Sequence, residues 1–128
     1  MKTTTTVLCT LLVVPRAVFA DPATECGGSS QVEIGECVSE TLNRVDQTIE
    51  IYLGFARSSA EELDELTGRE VAVPSLEASQ TSWEAFRDAH CEYVGATFGG
   101  GSGTGIGIDS CRIQLGRERA DELMRYAR

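Results

Sequence analysis

Cations are scarce in this sequence, and lysine is nearly absent. Lys2 is the only one, and 11 Lys and Arg together stand against 20 Asp and Glu, for a formal net charge of −9. Phosphate backbones are bound by clustered Lys and Arg, so this balance argues against a nucleic-acid partner. Histidine occurs once, at His90. A Ser–His–Asp relay needs an acid beyond the imidazole ring, but Asp88 lies only two positions away in the same helical pattern, about 200° around the axis. Neither a catalytic constellation nor an enzyme is expected. No two cysteines have the C-x-x-C spacing of a zinc site, and no Gly-Lys-Ser/Thr follows a strand pattern, so neither a metal nor a nucleotide phosphate is expected. No cofactor is implied. The longest apolar run, residues 7–14, falls short of the roughly 20 residues that cross a bilayer as a helix.

That run has another reading. Lys2 precedes it, and Val18 and Ala20 are small residues at the −3 and −1 positions of a cleavage site, so residues 1–20 read as a secretory signal peptide. Cleavage would leave Asp21 first and a mature domain at 21–128, with nine Arg against 20 acids and a formal charge of −11. The expected localisation is periplasmic or secreted, without a transmembrane anchor in the mature chain. An acidic exported domain of this size is one compact unit that attracts cationic partners.

Cys9 falls in the leader. Cys26, Cys37, Cys91 and Cys111 remain, an even count that reads as two disulfides in an oxidising compartment. Three pairings are open. Short loops favour Cys26 with Cys37 and Cys91 with Cys111.

Apolar periodicity describes the body. Residues 21–29 read as a lead-in. Ser30 with Glu33 three residues on is a capping box, after which Ile34, Val38, Leu42, Val45, Ile49, Tyr52, Ala56, Leu63 and Leu66 recur at helical spacing. Gly54, Ser58 and Ser59 are candidate bend points, and Gly68 is a stop signal. Residues 69–73 read as a linker. Pro74 suits the first turn of a second helix, whose face collects Leu76, Gln80, Trp83, Arg87, His90 and Val94. Six glycines fall within residues 99–107, a run expected to be neither helix nor stable strand. Asp109 or Ser110 would then cap a third helix carrying Cys111, Leu115, Arg119, Leu123 and Tyr126 on one side. The expected fold is all-α, a small hairpin or bundle of about three helices with two disulfides.

Three groups are candidates for function. Glu61, Glu62, Asp64 and Glu65 form an acidic run that reads as a solvated helix face. The glycine run is either a flexible connector or a protruding binding loop at Gly100, Gly101, Ser102, Gly103 and Thr104, which would offer backbone N–H groups and small hydroxyls to a partner. Trp83 and Phe86 read as core anchors. Arg87 and Arg119 lie on or near apolar stripes and need acceptors, for which Asp46, Asp88 and helix carbonyls are available. Trp83, Arg87, Asp88 and Arg119 thus form either a network that holds the fold or a ligand-contacting set.

The stretch with Leu76, Gln80, Trp83, Phe86-Arg87-Asp88 and Cys91, followed by Gly100-Gly101-Ser102 and then Cys111, Arg119 and Leu123, resembles the LprI-type lysozyme-inhibitor-like family. Cys26 and Cys37 sit at that family's cysteine spacing, and Asp46 and Ile49 fall on its Asp-x-x-Leu. The chain departs from the pattern at Gly116, where Thr is usual, and at Gly35 and Glu50, where Asn is usual. The resemblance implies an α-helical, disulfide-containing envelope protein. It also implies stoichiometric blocking of a cationic lysozyme, with the acidic helices steering and the glycine loop covering the enzyme's cleft. The alternative is an envelope protein-interaction module without lysozyme activity.

Overall fold

The computed structural model describes residues 21–127; the expected signal peptide lies outside the described residues. Four helices follow in order: α1 (Pro22–Cys26), α2 (Gln31–Thr67), α3 (Ala72–Ala96) and α4 (Thr104–Tyr126), with no strand among the described residues. The three long helices are the expected ones. The stretch expected to be only a lead-in holds α1. Its Pro22 occupies the first helical turn, where a missing N–H costs nothing, and is buried. The Asp21 carbonyl accepts from the N–H groups of Thr24 and Glu25.

Thirty-seven residues make α2 about 55 Å long. Ser30 caps it, its Oγ accepting from the Glu33 N–H at 3.2 Å. The return contact of the box shifts by one residue, because the Glu33 carboxylate accepts from the N–H and hydroxyl of Ser29. Ser29 thereby holds the Glu33 carboxyl below its ordinary range. Gly68 ends the helix at φ 64, ψ 25, a left-handed conformation that glycine adopts without a Cβ penalty. α3 returns antiparallel to α2, and α4 runs back parallel to α2, packing mainly against it. Val38, Ile49 and Ala56 of α2, Cys91 of α3, and Ile113, Ala120 and Leu123 of α4 are buried.

Where sequence and structure differ, packing is the reason. Glycine-rich residues 104–107, expected to be loop, form the first turn of α4, which begins well before Asp109 and Ser110. Low propensity is overridden there because the Phe98 ring lies on the helix surface where a Cβ at Gly107 would sit, 2.6 Å from Cε2. α3 begins at Ala72, so the linker is shorter than expected. On α2 the stripe fades at its end, with Leu63 52% and Leu66 78% exposed; at equal rise from Gly116, which lies against Val45 and Ile49, the described part of α4 ends level with residues 55–59. Phe86, expected in the core, is also exposed. It stacks on His90 on the outer face of α3, while Trp83 and Arg87 take the inward positions. His90 is itself exposed, and Cys91 occupies the inward position beside it.

Gly116 shows why this chain departs from its expected threonine. A Cβ there would lie 2.5 Å from Val45 Cγ1 and 3.3 Å from Ile49 Cδ1. With valine and isoleucine opposite, only glycine lets α4 approach α2 this closely.

The turn between α2 and α3 corrects another expectation. Asp64, expected on a solvated face, accepts from the backbone N–H groups of Val71, Ala72 and Val73 at 2.9 to 3.1 Å, capping α3 from the preceding helix. Those donors, Ala72 and Val73 foremost, hold its carboxyl below the ordinary aspartate range. Hydrogen bonds from Arg117 do the same for Glu25. A carboxyl depressed in the folded state contributes stability that is complete above its unfolded value and is lost as pH falls through the folded value. The urea midpoint should therefore hold from neutrality to about pH 5 and then decline. Relief of acidic repulsion acts in the opposite sense, so the informative comparison is with Asp64→Ala. That variant should have a lower midpoint at neutral pH and a shallower acid decline. Identical acid slopes would remove Asp64 from this role.

Candidate functional site

At one end of the molecule, residues 97–103 join α3 to α4. Gly99 and Gly100 have φ of 70 and 88, which only glycine adopts without strain. Nothing lies within 4 Å of the position a Cβ would occupy at Gly99, Gly100 or Gly101, and Ser102 is exposed, so this part of the loop faces solvent. Gly103 is the N-cap residue of α4. Thr104 belongs to the helix; its hydroxyl is buried and has no hydrogen-bond partner among the described residues, so it is not presented to a partner. The projecting element is thus shorter than the glycine run.

Its base is fastened in two ways. Cys91 and Cys111 are joined, with Cα atoms 5.5 Å apart, and they tie α3 to α4 one to two turns below the loop. Phe98 lies against Gly107. Cys26 joins Cys37 at a Cα distance of 5.7 Å and tethers α1 to α2 at the same end. Arg117 of α4 meets Glu25 of α1 in a two-pronged ion pair at 2.7 and 2.9 Å. Beside the loop, a half-open cleft of about 490 Å³ is walled chiefly by Ile34, Val94, Phe98 and Leu115, with His90 and Gln114 also lining it.

Midway along the bundle the structure brings together three of the four residues expected to form a network. The guanidinium carbons of Arg87 and Arg119 lie 5.2 and 5.8 Å from the Trp83 ring centroid. Arg87 donates to Asp46 at 2.7 Å and to the Arg112 carbonyl at 3.1 Å. Arg119, only 6% exposed, donates to Gln80 at 3.0 Å and Glu122 at 2.8 Å, with Ser79 at 3.4 Å. Each charge thus finds the acceptors that burial demands, and the aromatic face adds a cation–π contact. Asp88 is not part of this set. It is exposed and pairs with Arg112, which also meets Glu92 and Asp109. The reason is angular: adjacent helix positions diverge by about 100°, so Asp88 cannot share the inward direction of Arg87.

Sequence reasoning missed Gln80 as an acceptor, although its place on the apolar stripe was visible. It also missed the Glu25–Arg117 pair, whose partners are 92 positions apart. The acidic run and the loop turn out to be far apart. Glu61 lies about 45 Å along α2 from the loop end, at 1.5 Å per residue. Among the described residues no group of three His, Cys, Asp or Glu is arranged for a metal ion, and no helix is long and apolar enough to cross a membrane.

The fold and these surfaces define a helical, disulfide-stapled, acidic domain. The sequence profile of the lysozyme inhibitor LprI family matches residues 23–123, and the chain belongs to that family. An uncharacterized protein of Rhizobium meliloti (strain 1021) is 25% identical over 99 residues, which cover 73% of this chain and 71% of that one. No solved structure matches the chain.

Proposed function

We propose that this protein is an exported inhibitor that blocks a cationic lysozyme stoichiometrically and performs no catalysis of its own. The observation that carries the reading is the family match across all four helices. Two features support it. The acidic surplus favours encounter with a cationic protein. The solvent-facing tip at Gly99, Gly100, Gly101 and Ser102 is narrow, with its base fastened below, so less disorder is lost when it enters a cleft. In this reading Ser102 and the loop N–H groups donate to the paired carboxylates of a glycoside hydrolase.

The test is residual activity of a panel of lysozymes titrated with the purified chain. Inhibition at one-to-one stoichiometry is expected for at least one cationic member. Replacing Gly101 and Ser102 together by phenylalanine should abolish it while leaving the circular dichroism spectrum unchanged, since neither position is packed. Ser102→Ala alone should cost about 1 kcal/mol of binding. A loop variant that inhibits as well as the parent would make the loop a connector. A parent inactive across the panel would favour the envelope interaction module.

A further inference from the structure

The proposed function uses the loop tip and leaves the cleft beside it unemployed. Its apolar walls come from all three long helices: Ile34 from α2, Val94 from α3, and Ile106 and Leu115 from α4, with Phe98 of the connecting segment also lining it. One turn further into the bundle Val38 and Cys91 are fully buried, so the core closes beneath it. The cleft is long. Gly103, Gly107, Ser110 and Gln114 line it at spacings of three and four, so it follows one face of α4 from Gly103 to Leu115, about 18 Å of helix rise. Small residues keep it open. Gly103 and Gly107 line it without a side chain, and a Cβ at Gly103 would meet nothing closer than Phe98 at 3.9 Å and Gln31 at 4.0 Å. A half-open volume of about 490 Å³ behind mostly apolar walls has the size and character of a site for a small organic molecule.

Shape and charge define the class of that molecule. A narrow run along one helix face takes an extended chain in preference to a compact ring system. No Lys or Arg lines the cleft, and its ionisable side chains are Asp21 and His90. An anion would meet no countercharge there and would enter against the negative field of the chain. A cation would lose hydration among aliphatic walls and find only the exposed Asp21 to pair with. What the cleft does offer is neutral hydrogen-bonding groups. The side chains of Gln31 and Gln114 make no hydrogen bond among the described residues, and His90 has only its ring contact with Phe86. Each carboxamide holds N–H donors and a carbonyl acceptor ready for a ligand. The Cys91–Cys111 bond sets His90 of α3 beside the stretch of α4 that carries Gln114, so two of these groups meet at the inner end of the cleft. We propose that the cleft binds a single-chain, uncharged amphiphile: an acyl chain lies along α4 between Ile34, Val94 and Leu115, and a neutral amide head is hydrogen-bonded by Gln114 and His90.

The probe is N-decanoyl-N-methylglucamide, kept below its micelle concentration and titrated into the full chain. Calorimetry reads the affinity, and methyl resonances read the place. One-to-one saturable binding is expected, with shifts centred on Ile34, Val94 and Leu115. The octanoyl homologue should bind about tenfold more weakly, as the loss of two buried methylenes requires. N-decanoylsarcosinate has the same chain and amide but ends in a carboxylate, and it should bind at least about tenfold more weakly. Gln114→Ala should cost about fivefold, the loss of one hydrogen bond. Gly103→Leu adds a side chain beside Phe98 and Gln31 at an ordinary helical φ of −78, so it should fold and abolish binding. A circular dichroism melt checks both variants, and the chain-length and head-group comparisons need no variant at all. Equal binding of the sarcosinate, an affinity independent of chain length, or shifts centred on Leu63 and Leu123 at the other end of the bundle would each overturn the proposal. It does not rest on the lysozyme reading: a chain inactive across the lysozyme panel would leave this titration unchanged, and the reverse also holds.

Discussion

Replacing Trp83 by alanine should lower the free energy of unfolding by about 3 kcal/mol, and replacing it by phenylalanine by less. The ring packs against the core cluster of Ile49, Ala56, Ala120 and Leu123, and its neighbourhood holds two guanidinium groups. Alanine removes the apolar volume and also the π face over Arg87 and Arg119. Arg119 then loses a neighbour that helps compensate for its burial, although Gln80 and Glu122 remain. Phenylalanine keeps a smaller face and most of the contact. Urea denaturation followed by far-ultraviolet circular dichroism measures both, since fluorescence is lost with the residue. A Trp83→Ala loss below about 1 kcal/mol would mean that the stack is incidental to stability. The ligand-contacting reading of these arginines would then gain weight.

Loss of the Cys91–Cys111 bridge should cost about 3 kcal/mol and exceed the loss of Cys26–Cys37. Loop closure alone separates them little, because the sequence separations are 20 and 11 and the entropy grows only with their logarithm. Position makes the larger difference. Cys91 is fully buried and binds α3 to α4 beneath the loop, whereas Cys26 is half-buried and tethers a five-residue helix that the Glu25–Arg117 pair also holds. Paired alanine variants compared by urea midpoint measure the ranking. Equal losses would show that α1 contributes to the bundle as much as the α3–α4 junction does. Inhibition assays on the Cys91 and Cys111 pair then ask whether the staple matters to the loop at temperatures where the bundle remains folded.

The distribution of charge also bears on the proposed function. The arginines with ion pairs mostly connect helices: Arg57 to Glu77, Arg87 to Asp46, Arg112 to Asp88 and Glu92, and Arg117 to Glu25. Internal pairing therefore consumes much of the small cationic complement and leaves the carboxylate surplus facing outward. That surplus has a direction along the molecule. The acids at the end of α2 lie about 45 Å from the glycine tip, several times the screening length of about 8 Å in physiological salt, so they cannot steer that tip locally. Any steering of the loop must come from the whole-molecule field.

Periodicity alone determined that three long helices would form, because apolar residues at spacings of three and four leave one face that must be buried. Ser30 and Gly68 set the ends of α2 through local backbone chemistry, which acts over a single turn and is therefore legible in order along the chain. The even cysteine count and the short loops likewise pointed to the pairing the structure contains. Tertiary structure decided what depends on angle and on distant neighbours. It made glycine-rich residues 104–107 helical, because Phe98 packs where side chains would stand. It turned Asp64 from a surface charge into the cap of α3, because a tight turn brings three N–H groups onto its carboxylate. It put Asp88 outside the arginine–tryptophan stack and Gln80 inside it, because one helical step rotates a side chain by about 100°. The separation of the glycine tip from the acidic run at the end of α2 followed from the parallel run of α4 on α2, a register set by the close approach at Gly116.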